Sequence, residues 1–311
     1  MFSIIIPLYN CASYLSETIA SIASQTFTDF EVIAVDDQSD DRSFELAESL
    51  IAKFNLRGSV YRKTPDQKKG VSSSRNLGIR ESRGEWVCFL DSDDLFHAAK
   101  LNILNETIRA NPSIQFYHHS VYQFKESDTP DLLRIIERSP VIDPDSLYDQ
   151  NNVVTSSVSV SRNLLQMLGG FNEKLNGIED YHLWLKISTI TNLEFIPERL
   201  GFYRIRKNSL MGSRRFAHYV DQSILLLNNI RFLSEERRKR VIRGSKFTMM
   251  NYYSNTSIQR HGYLSLFPGL FRLVATGHLR LAVQIFLVKS RNRVLYKLKS
   301  GLAPTQMMNN D

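Results

Sequence analysis

Short, continuously apolar segments alternate in the first 110 residues with longer segments whose apolar residues follow helical spacing. The apolar segments cover residues 2–6, 30–35 and 86–90, and a weaker one covers residues 59–62. A continuous apolar run rich in β-branched residues is typical of a parallel strand buried on both faces. Strands that alternate with helices form βαβ units, so the sequence predicts an α/β fold with a mostly parallel sheet flanked by helices.

Polar clusters follow three of these apolar segments at the point where each one ends. They are the pair Tyr9-Asn10, an acidic cluster at residues 36–41 and a second acidic cluster at residues 91–94. In open parallel sheets, ligands bind outside the carboxyl ends of the strands. The sequence therefore predicts a ligand site at this edge of the sheet.

The second acidic cluster places three aspartates within residues 91–94. Carboxylates this close repel one another unless a cation or basic groups compensate their charge. Carboxylate oxygens are ligands that Mg²⁺ and Mn²⁺ prefer, and Mg²⁺ often joins one or two carboxylates to substrate phosphates. The other interpretation of these residues is a solvated acidic turn or a helix N-cap.

The first acidic cluster, residues 36–41, has part of the spacing of an EF-hand calcium loop. However, Arg42 stands where that loop requires glycine, and Glu48, its twelfth position, belongs to a predicted amphipathic helix. We therefore exclude a calcium loop here. Acidic residues at a strand end can instead accept hydrogen bonds from the base or ribose of a nucleotide.

Two further segments carry candidate chemistry at predicted helix starts. Residues 70–78 form a polar, glycine-bounded turn whose backbone amides and Arg75 can face a phosphate. This turn matches neither the Walker A pattern nor GxGxxG, so a plain helix start is the alternative. Glu179 and Asp180 also begin a predicted helix, where they are either a simple cap or a rigidly held general base.

These segments occur in an order that resembles a known family. The ordered set is SIIIPLYN at residues 3–10, SQTF at 24–27, VDDQSD at 35–40, SRNLG at 74–78, LDSDD at 90–94 and ED at 179–180. Together they resemble the family-two inverting nucleotide-sugar glycosyltransferases, which have the Rossmann-like GT-A fold, and the resemblance runs from about residue 3 to 212. It implies a catalytic domain over residues 1–212. The charge and helical spacing of the remaining residues predict a helical, basic C-terminal extension over residues 213–311.

The resemblance implies where the nucleoside of the donor binds. Pro7, Tyr9 and Asp37 match the residues that surround the base in that family, and Ser39 lies near them. Arg75 of the SRNLG segment is expected beside the acidic residues or the diphosphate.

The resemblance also implies a metal site and a catalytic base. The family's DxD motif matches Asp91-Ser92-Asp93, with Asp93 as metal ligand and Asp91 next to the ribose or the metal. Ser92 is expected to contact the nucleotide, and Asp94 to support the motif. The implied cofactor is a divalent metal, Mn²⁺ or Mg²⁺. Asp180 matches the catalytic base, with Glu179 as its neighbour, so the reaction inverts the anomeric configuration.

The sequence departs from the family pattern in three places. Gln38 follows Asp36-Asp37 where glycine is usual, which puts the geometry of that turn in doubt. Arg206 stands where relatives often carry histidine, so a guanidinium replaces a metal or phosphate contact. The QxxRW block of processive polymerases is absent, and so are membrane-spanning segments, which favours a single-addition enzyme over a polysaccharide synthase.

Charge is distributed unevenly along the chain. Residues 1–200 hold 19 Lys/Arg against 28 Asp/Glu, a net charge of −9, whereas residues 201–311 hold 20 against 4, a net charge of +16. Residues 220–233 have the spacing of one long amphipathic helix, and the basic run at residues 237–240 follows it. Residues 264–298 mix apolar and basic side chains, which suits either a solvated basic face or a helix on an anionic membrane surface. No nucleic-acid-binding motif is present, so we do not expect nucleic acid as a partner.

The remaining features limit the compartment and the function. Two cysteines without metal-finger spacing favour a reducing compartment, and no signal peptide or apolar span is apparent. We expect a cytoplasmic protein, peripheral on the inner face of the membrane. It would transfer a sugar from a nucleotide-diphosphate donor to a glycan or lipid-linked acceptor. A nucleotidyltransferase of similar fold and a non-catalytic glycan- or membrane-binding relative are the alternatives.

Overall fold

A mixed sheet of eight strands with helices on both faces forms the centre of the protein. The computed structural model describes residues 1–125, 144–149, 151–206, 223, 226 and 228–252. The strands are β1 (Phe2–Leu8), β2 (Phe30–Asp36), β3 (Gly58–Arg62), β4 (Trp86–Phe89), β5 (Leu95–Phe96), β6 (Phe116–Lys125), β7 (Ser159–Ser161) and β8 (Glu194–Ile205). The helices are α1 (Ala12–Ala23), α2 (Ser43–Lys53), α3 (Val71–Glu81), α4 (Lys100–Ala110), α5 (Arg162–Leu168), α6 (Glu179–Ile187) and α7 (Glu235–Tyr252).

The strand order in the sheet is β3-β2-β1-β4-β7-β6-β8-β5. Strands β1 to β4 pair in parallel, as the apolar segments predict. Beyond β4, strand β7 pairs antiparallel with β4 and with β6, β6 runs parallel to β8, and the short β5 pairs antiparallel with β8. The predicted α/β fold with a sheet flanked by helices is confirmed, and the antiparallel pairings lie in its second half.

The two faces of β1 contribute to two different parts of the core. Ile5 belongs to one apolar cluster together with residues of α3, α5 and α6. Ile4 and Ile6 belong to the other cluster, together with residues of α1, α2 and α4. Because both faces are covered, the strand carries apolar residues without alternation, which is the pattern that identifies it in the sequence.

The acidic cluster at residues 36–41 positions two helices. One carboxylate oxygen of Asp41 accepts the backbone N–H of Ala12 at the start of α1, and the other accepts the N–H of Ser43 at the start of α2. The Ser43 hydroxyl in turn accepts the N–H of Cys11. A carboxylate at a helix N-terminus satisfies unpaired amides and interacts favourably with the helix dipole, so this part of the cluster is structural.

The basic run at residues 237–240 lies on α7, which packs against the 3₁₀ helix Pro144–Tyr148. Arg240 forms an ion pair with Asp149 at 2.6 Å, and the Arg237 guanidinium lies 5.0 Å from the centre of the Tyr148 ring. Part of the run therefore docks α7 on the rest of the protein.

The prediction of one continuous helix over residues 220–233 is wrong at its end. Residues 230–234 are not helical, and α7 begins at Glu235. The basic segment at residues 264–298 lies outside the described residues. Within the described ranges, no helix combines the length and apolarity needed to cross a bilayer.

Candidate functional site

The aspartate turn, residues 91–94, follows β4 at the carboxyl end of the parallel strands. Its innermost member, Asp94, is buried and fully hydrogen-bonded. One carboxylate oxygen accepts the Ser156 hydroxyl at 2.6 Å and the other accepts the backbone N–H of Arg204 at 2.9 Å. Burial, followed by the nearby Asp93 and Asp91, raises the pKa of Asp94 well above its usual range. Through these two hydrogen bonds, Asp94 connects the turn to the segments that carry Ser156 and Arg204.

Asp93 lies on the same turn and pairs with Arg206. Its carboxylate is mostly buried and lies 2.6 Å from the Arg206 guanidinium. Burial and the neighbouring Asp91 raise the pKa of Asp93, whereas Arg206 and Arg204 oppose the shift. The arginine that replaces histidine in this chain thus neutralises part of the charge on the predicted metal ligand.

Arg75 connects the aspartate turn to the acidic pair, Glu179 and Asp180. Its side chain is almost completely buried, with one guanidinium nitrogen 2.7 Å from Asp91 and the other 3.4 Å from Glu179. Burial opposes the charge of Arg75, but Asp91, Glu179 and Asp180 outweigh it and raise the arginine's pKa. One guanidinium therefore brings together Asp91 and Glu179, which are 88 residues apart in sequence.

The two members of the acidic pair differ in how they are held. Both carboxylate oxygens of Glu179 are engaged, one by the backbone N–H of Gly177 and the other by Arg75, and the residue is buried. Asp180 accepts hydrogen bonds from the Thr155 hydroxyl at 3.1 Å and from the Tyr181 N–H at 2.6 Å, and it stays partly exposed. Burial and the adjacent Glu179 raise the pKa of Asp180 to about 6, against the lowering effect of Arg75.

The predicted nucleoside residues lie at the ends of β1 and β2. Pro7 is buried within β1 opposite Val35, and the Tyr9 ring beyond the strand is half-exposed, with the Lys69 ammonium 4.9 Å from its centre. The Ser39 hydroxyl accepts the backbone N–H of Asn10, which joins the two strand ends.

Asp37 is buried and makes two contacts with the segments before α3. One carboxylate oxygen pairs with Lys63, and the other accepts the N–H of Gly70 at 2.7 Å. The Lys63 ammonium also donates to the Ser73 hydroxyl. Asp37 thus fixes the start of α3, the helix that carries Arg75 five residues later.

The turn that carries Gln38 keeps the conformation that glycine would favour. Gln38 has a φ of 61°, in the left-handed region, and its side-chain amide donates to the carbonyls of Thr64 at 2.7 Å and Gln67 at 3.2 Å. A left-handed conformation costs a non-glycine residue roughly 1–2 kcal/mol, and these hydrogen bonds offset it. The doubt about this turn is therefore resolved by side-chain bonding.

Asn76, next to Arg75 on α3, holds the loop that leads to the acidic pair. Its amide donates to the carbonyl of Phe171 and to Glu173, and its carbonyl oxygen accepts the Phe171 N–H. Gly170 has a φ of 68°, and a Cβ there would lie 2.4 Å from the Asn76 oxygen. Both the backbone conformation and the close approach require glycine at this position.

Several residues that shape the site were not predicted from the sequence. They are Lys63 beside Asp37, Arg204 behind the aspartate turn, Lys100 beneath it, and Thr155 and Ser156, which contact its carboxylates and Asp180. The only signal for the last two is a polar run, TSS, between apolar residues that follow a long polar connection.

The residues of the aspartate turn fit a divalent metal that is shared with a ligand. Across the described residues, no three His, Cys, Asp or Glu side chains come together as a metal site of their own. Asp91 and Asp93 lie two residues apart on this turn, and each has a guanidinium partner, Arg75 at 2.7 Å and Arg206 at 2.6 Å. Two such carboxylates match the pattern in which Mg²⁺ takes one or two carboxylates and completes its shell with phosphates and water.

Comparisons with solved structures agree with this architecture. The structure of Staphylococcus aureus TarS 1–349 in complex with UDP-GlcNAc aligns with a TM-score of 0.69 at 20% identity, over 88% of this chain and 79% of that one. The mannosyltransferase PcManGT of Pyrobaculum calidifontis, in complex with GDP-Man and Mn²⁺, aligns with a TM-score of 0.58 at 19% identity, over 95% and 81% of the two chains. The predicted GT-A fold is thereby confirmed.

Comparisons of sequence identify the family. An uncharacterized glycosyltransferase of Haemophilus influenzae is 30% identical over 202 residues, which are 65% of this chain and 66% of the relative. The chain spans between 32 and 40% of the length of three further curated glycosyltransferases. The model of glycosyl transferase family 2 matches residues 3–160, about half of the sequence, and includes the aspartate turn and Arg75. This chain belongs to glycosyl transferase family 2.

Proposed function

We propose that the protein transfers a sugar from a nucleotide-diphosphate donor to a hydroxyl of a glycan or lipid-linked acceptor, with inversion at the anomeric carbon. The observation that carries the proposal is the placement of the Arg75 guanidinium between Asp91 and Glu179. Arg75 brings the aspartate turn, which could hold a metal and the donor diphosphate, close to the acidic pair, which could accept the proton of the acceptor. Transfer of a sugar from donor to acceptor requires both groups at one site.

Asp180 is the general base of the proposed reaction. It removes the proton of the acceptor hydroxyl while that oxygen forms a bond to the anomeric carbon, and the bond from this carbon to the diphosphate breaks. The nucleoside diphosphate leaves with the bonding electrons, and a single displacement inverts the configuration. A pKa of about 6 suits this role, because the carboxylate is ionised near neutral pH yet basic enough to accept a proton.

The contacts of the acidic pair favour Asp180 over Glu179 as the base. Glu179 is buried and forms an ion pair with Arg75, whereas the oxygens of Asp180 accept hydrogen bonds from neutral groups of Thr155, Tyr181 and Asn151. Asp180 is the more exposed of the two, and its Thr155 and Tyr181 hydrogen bonds fix the direction of its carboxylate.

Asp93 and Asp91 are proposed to hold a divalent metal, Mn²⁺ or Mg²⁺, at the aspartate turn. When bound, such an ion would neutralise the negative charge that develops on the departing diphosphate. PcManGT, which shares the fold, has a structure in complex with Mn²⁺. Arg75, which is buried, adds positive charge at the same turn, and the partly exposed Arg206 can orient the diphosphate through hydrogen bonds.

The nucleoside is proposed to bind at the ends of β1 and β2. The half-exposed ring of Tyr9 offers a face on which a base can stack, while Ser39, bonded to Asn10, supplies a polar atom nearby, and Ser92 is proposed to contact the nucleotide. Pro7 and Asp37 lie beneath this surface and shape it, Asp37 through its bonds to Lys63 and Gly70. TarS has structures in complex with UDP-GlcNAc and with UDP, which favours a nucleotide sugar as donor class.

The division into a catalytic domain, residues 1–212, and a basic extension, residues 213–311, belongs to the same proposal. The extension would place the enzyme on an anionic membrane surface on the cytoplasmic side, where a lipid-linked acceptor is accessible. Flotation with anionic liposomes tests this point, because the full chain should float and a chain lacking residues 245–311 should not.

A panel of nucleotide sugars tests the proposed reaction. The protein is incubated with UDP-, GDP- and dTDP-sugars and Mn²⁺, with and without acceptor extracts, and the released nucleotide is identified. Release of a nucleoside diphosphate that depends on acceptor supports sugar transfer. Release of pyrophosphate from nucleoside triphosphates would instead identify a nucleotidyltransferase, and no turnover with any donor would favour a non-catalytic relative.

A further inference from the structure

The three-residue 3₁₀ helix Thr155–Ser157 lies between the aspartate turn and the acidic pair, and we call it the bridge helix. On one side, the Ser156 hydroxyl donates to Asp94 at 2.6 Å and accepts the backbone N–H of Asp91 at 3.1 Å. On the other side, the Thr155 hydroxyl donates to Asp180 at 3.1 Å. Two consecutive side chains therefore contact carboxylates that serve opposite sides of the proposed reaction.

The bridge helix is fixed from below by Lys100 of α4. The Lys100 side chain is completely buried, its ammonium donates to the Ser156 carbonyl at 2.8 Å, and it lies 3.5 Å from the centre of the Phe96 ring. Burial lowers the pKa of this lysine to about 7. Burying an ammonium is costly, and an apolar side chain would fill the same space without that cost, so stability alone does not explain the residue.

We propose that the bridge helix is the positioning element that sets the acceptor base relative to the donor carboxylates, with Lys100 holding it in place through the Ser156 carbonyl. Ser156 fixes the backbone of Asp91 and the carboxylate of Asp94, so it acts on the donor. Thr155 fixes the carboxylate of Asp180, so it acts on the proton transfer. This assignment rests on the proposed function, because it needs a base at Asp180 and a donor at the aspartate turn.

The assignment predicts different kinetic signatures for adjacent residues. Thr155→Val removes a hydroxyl at constant shape, and kcat should fall about 10- to 100-fold with little change in donor affinity, because a hydrogen bond to a charged group is lost only at the base. Thr155→Ser keeps the hydroxyl and should restore kcat to within about threefold of the parent protein. Ser156→Ala should instead weaken donor binding about tenfold.

Lys100→Met tests the connection between the two sides. Lys100 has no hydrogen bond to Asp91 or Asp180, yet its loss should lower kcat and donor affinity together, each about tenfold, because the bridge helix carries both. The matched control is Lys53→Met, which changes a lysine that also lies near a phenylalanine ring, Phe54, but is exposed at the end of α2. The control should leave both quantities unchanged.

The measurements are calorimetric binding of UDP with Mn²⁺, or of GDP with Mn²⁺ if the donor panel selects guanosine, and kcat for transfer at saturating donor. Thermal melting confirms that each variant is folded, and Ser156→Ala replaces Lys100→Met if the latter does not fold. The inference is overturned if Thr155→Val keeps the parental kcat, or if it weakens nucleotide binding by the same factor by which it lowers kcat. It is also overturned if Lys100→Met, or Ser156→Ala where that variant replaces it, has the parental kcat and donor affinity. Loss of transfer in Asp180→Asn with a parental Thr155→Val would reject this inference alone, whereas retained transfer in Asp180→Asn would reject the base itself.

Discussion

The aspartate turn and the acidic pair both contact Arg75, but they differ in how much positive charge surrounds them. The aspartate turn has Arg75, Arg204 and Arg206 around it, and these three guanidinium groups contact its side chains or backbone. The acidic pair has Arg75 alone within ion-pair distance among the described residues. The same residue type is therefore surrounded by positive charge in one place and left with little of it in the other.

This difference in charge compensation separates two kinds of chemistry. Carboxylates among cations can exchange a protein cation for a metal, although burial raises the pKa of Asp93 and of Asp94 in this turn as well. A carboxylate crowded against another one, with a single shared cation, has a raised pKa and accepts a proton readily, as Asp180 does at about 6. In the proposed reaction, the environment rather than the residue type distinguishes the metal ligand from the base.

Substitution of the proposed base, Asp180, is expected to have the largest effect on turnover. Asp180→Asn should lower kcat for transfer about 10³-fold, because a positioned general base contributes rate enhancement of that order. Donor binding, measured by calorimetry with Mn²⁺, should change little, since the aspartate turn is untouched. The matched variant is Glu179→Gln, and a larger loss of kcat in that variant than in Asp180→Asn would reverse the assignment.

The same substitution should stabilise the fold at pH 8. The pKa of Asp180 is raised in the folded protein, so its contribution to stability is present at acid pH and is lost as the pH rises through about 6. Asn cannot ionise, and the free energy of unfolding should rise by about 1–3 kcal/mol at pH 8. Urea denaturation measures it, and a destabilised variant would contradict the charge argument.

Arg75 is the cation that both groups share, so its removal should affect both. Arg75→Met leaves the buried carboxylate of Glu179 without its ion pair, and loss of one partner of a buried pair costs about 3–5 kcal/mol. Urea denaturation should show this loss in full. Arg57→Met is the control, because the Arg57–Asp29 pair is exposed on both sides and its removal should cost less than about 1 kcal/mol.

Removal of the proposed metal ligand tests the other side of the comparison. Asp93→Ala should lower kcat/KM about 100-fold and should abolish the effect of Mn²⁺ on nucleotide binding, since a metal stabilises the leaving group by several kcal/mol. Asp66→Ala removes an exposed aspartate elsewhere and should behave as the parent protein. Nucleotide binding that still depends on Mn²⁺ in Asp93→Ala would show that the metal is held by other residues.

Much of the fold and the position of the site could be predicted from local patterns. The strands β1, β2 and β4 are buried on both faces, so each appears in the sequence as a continuous apolar run without polar alternation. The acidic cluster at residues 91–94 follows one of these runs directly, which fixes its place at the carboxyl end of the sheet. Short-range order was sufficient for these features.

Contacts between distant segments could not be predicted in the same way. Lys63 and Thr155 carry no local pattern, because a lysine after a weak strand and a threonine after a long loop are common surface features. Their roles arise only when the fold places them against Asp37 and Asp180, 26 and 25 residues away. Gln38 is the opposite case, because a non-glycine residue is not expected in a left-handed turn, and its side-chain hydrogen bonds stabilise that conformation.

The smallest expected effects are shifts in the pH dependence of kcat, and they test whether Asp180 is the group that accepts the proton. Asp180 must be ionised to act as a base, so kcat should fall about tenfold for each pH unit below about 6 and should level off above it. The apparent pKa should move in opposite directions when the neighbours of Asp180 are changed. Glu179→Gln removes a negative charge that raises the pKa and should shift the acid limb to lower pH, whereas Thr155→Val removes a hydrogen bond to the ionised form and should shift it to higher pH. Acid unfolding cannot imitate this pair of shifts, because one substitution would have to protect the protein and the other to weaken it by matching amounts. An acid limb that stays at the same pH in both variants would show that a group other than Asp180 accepts the proton.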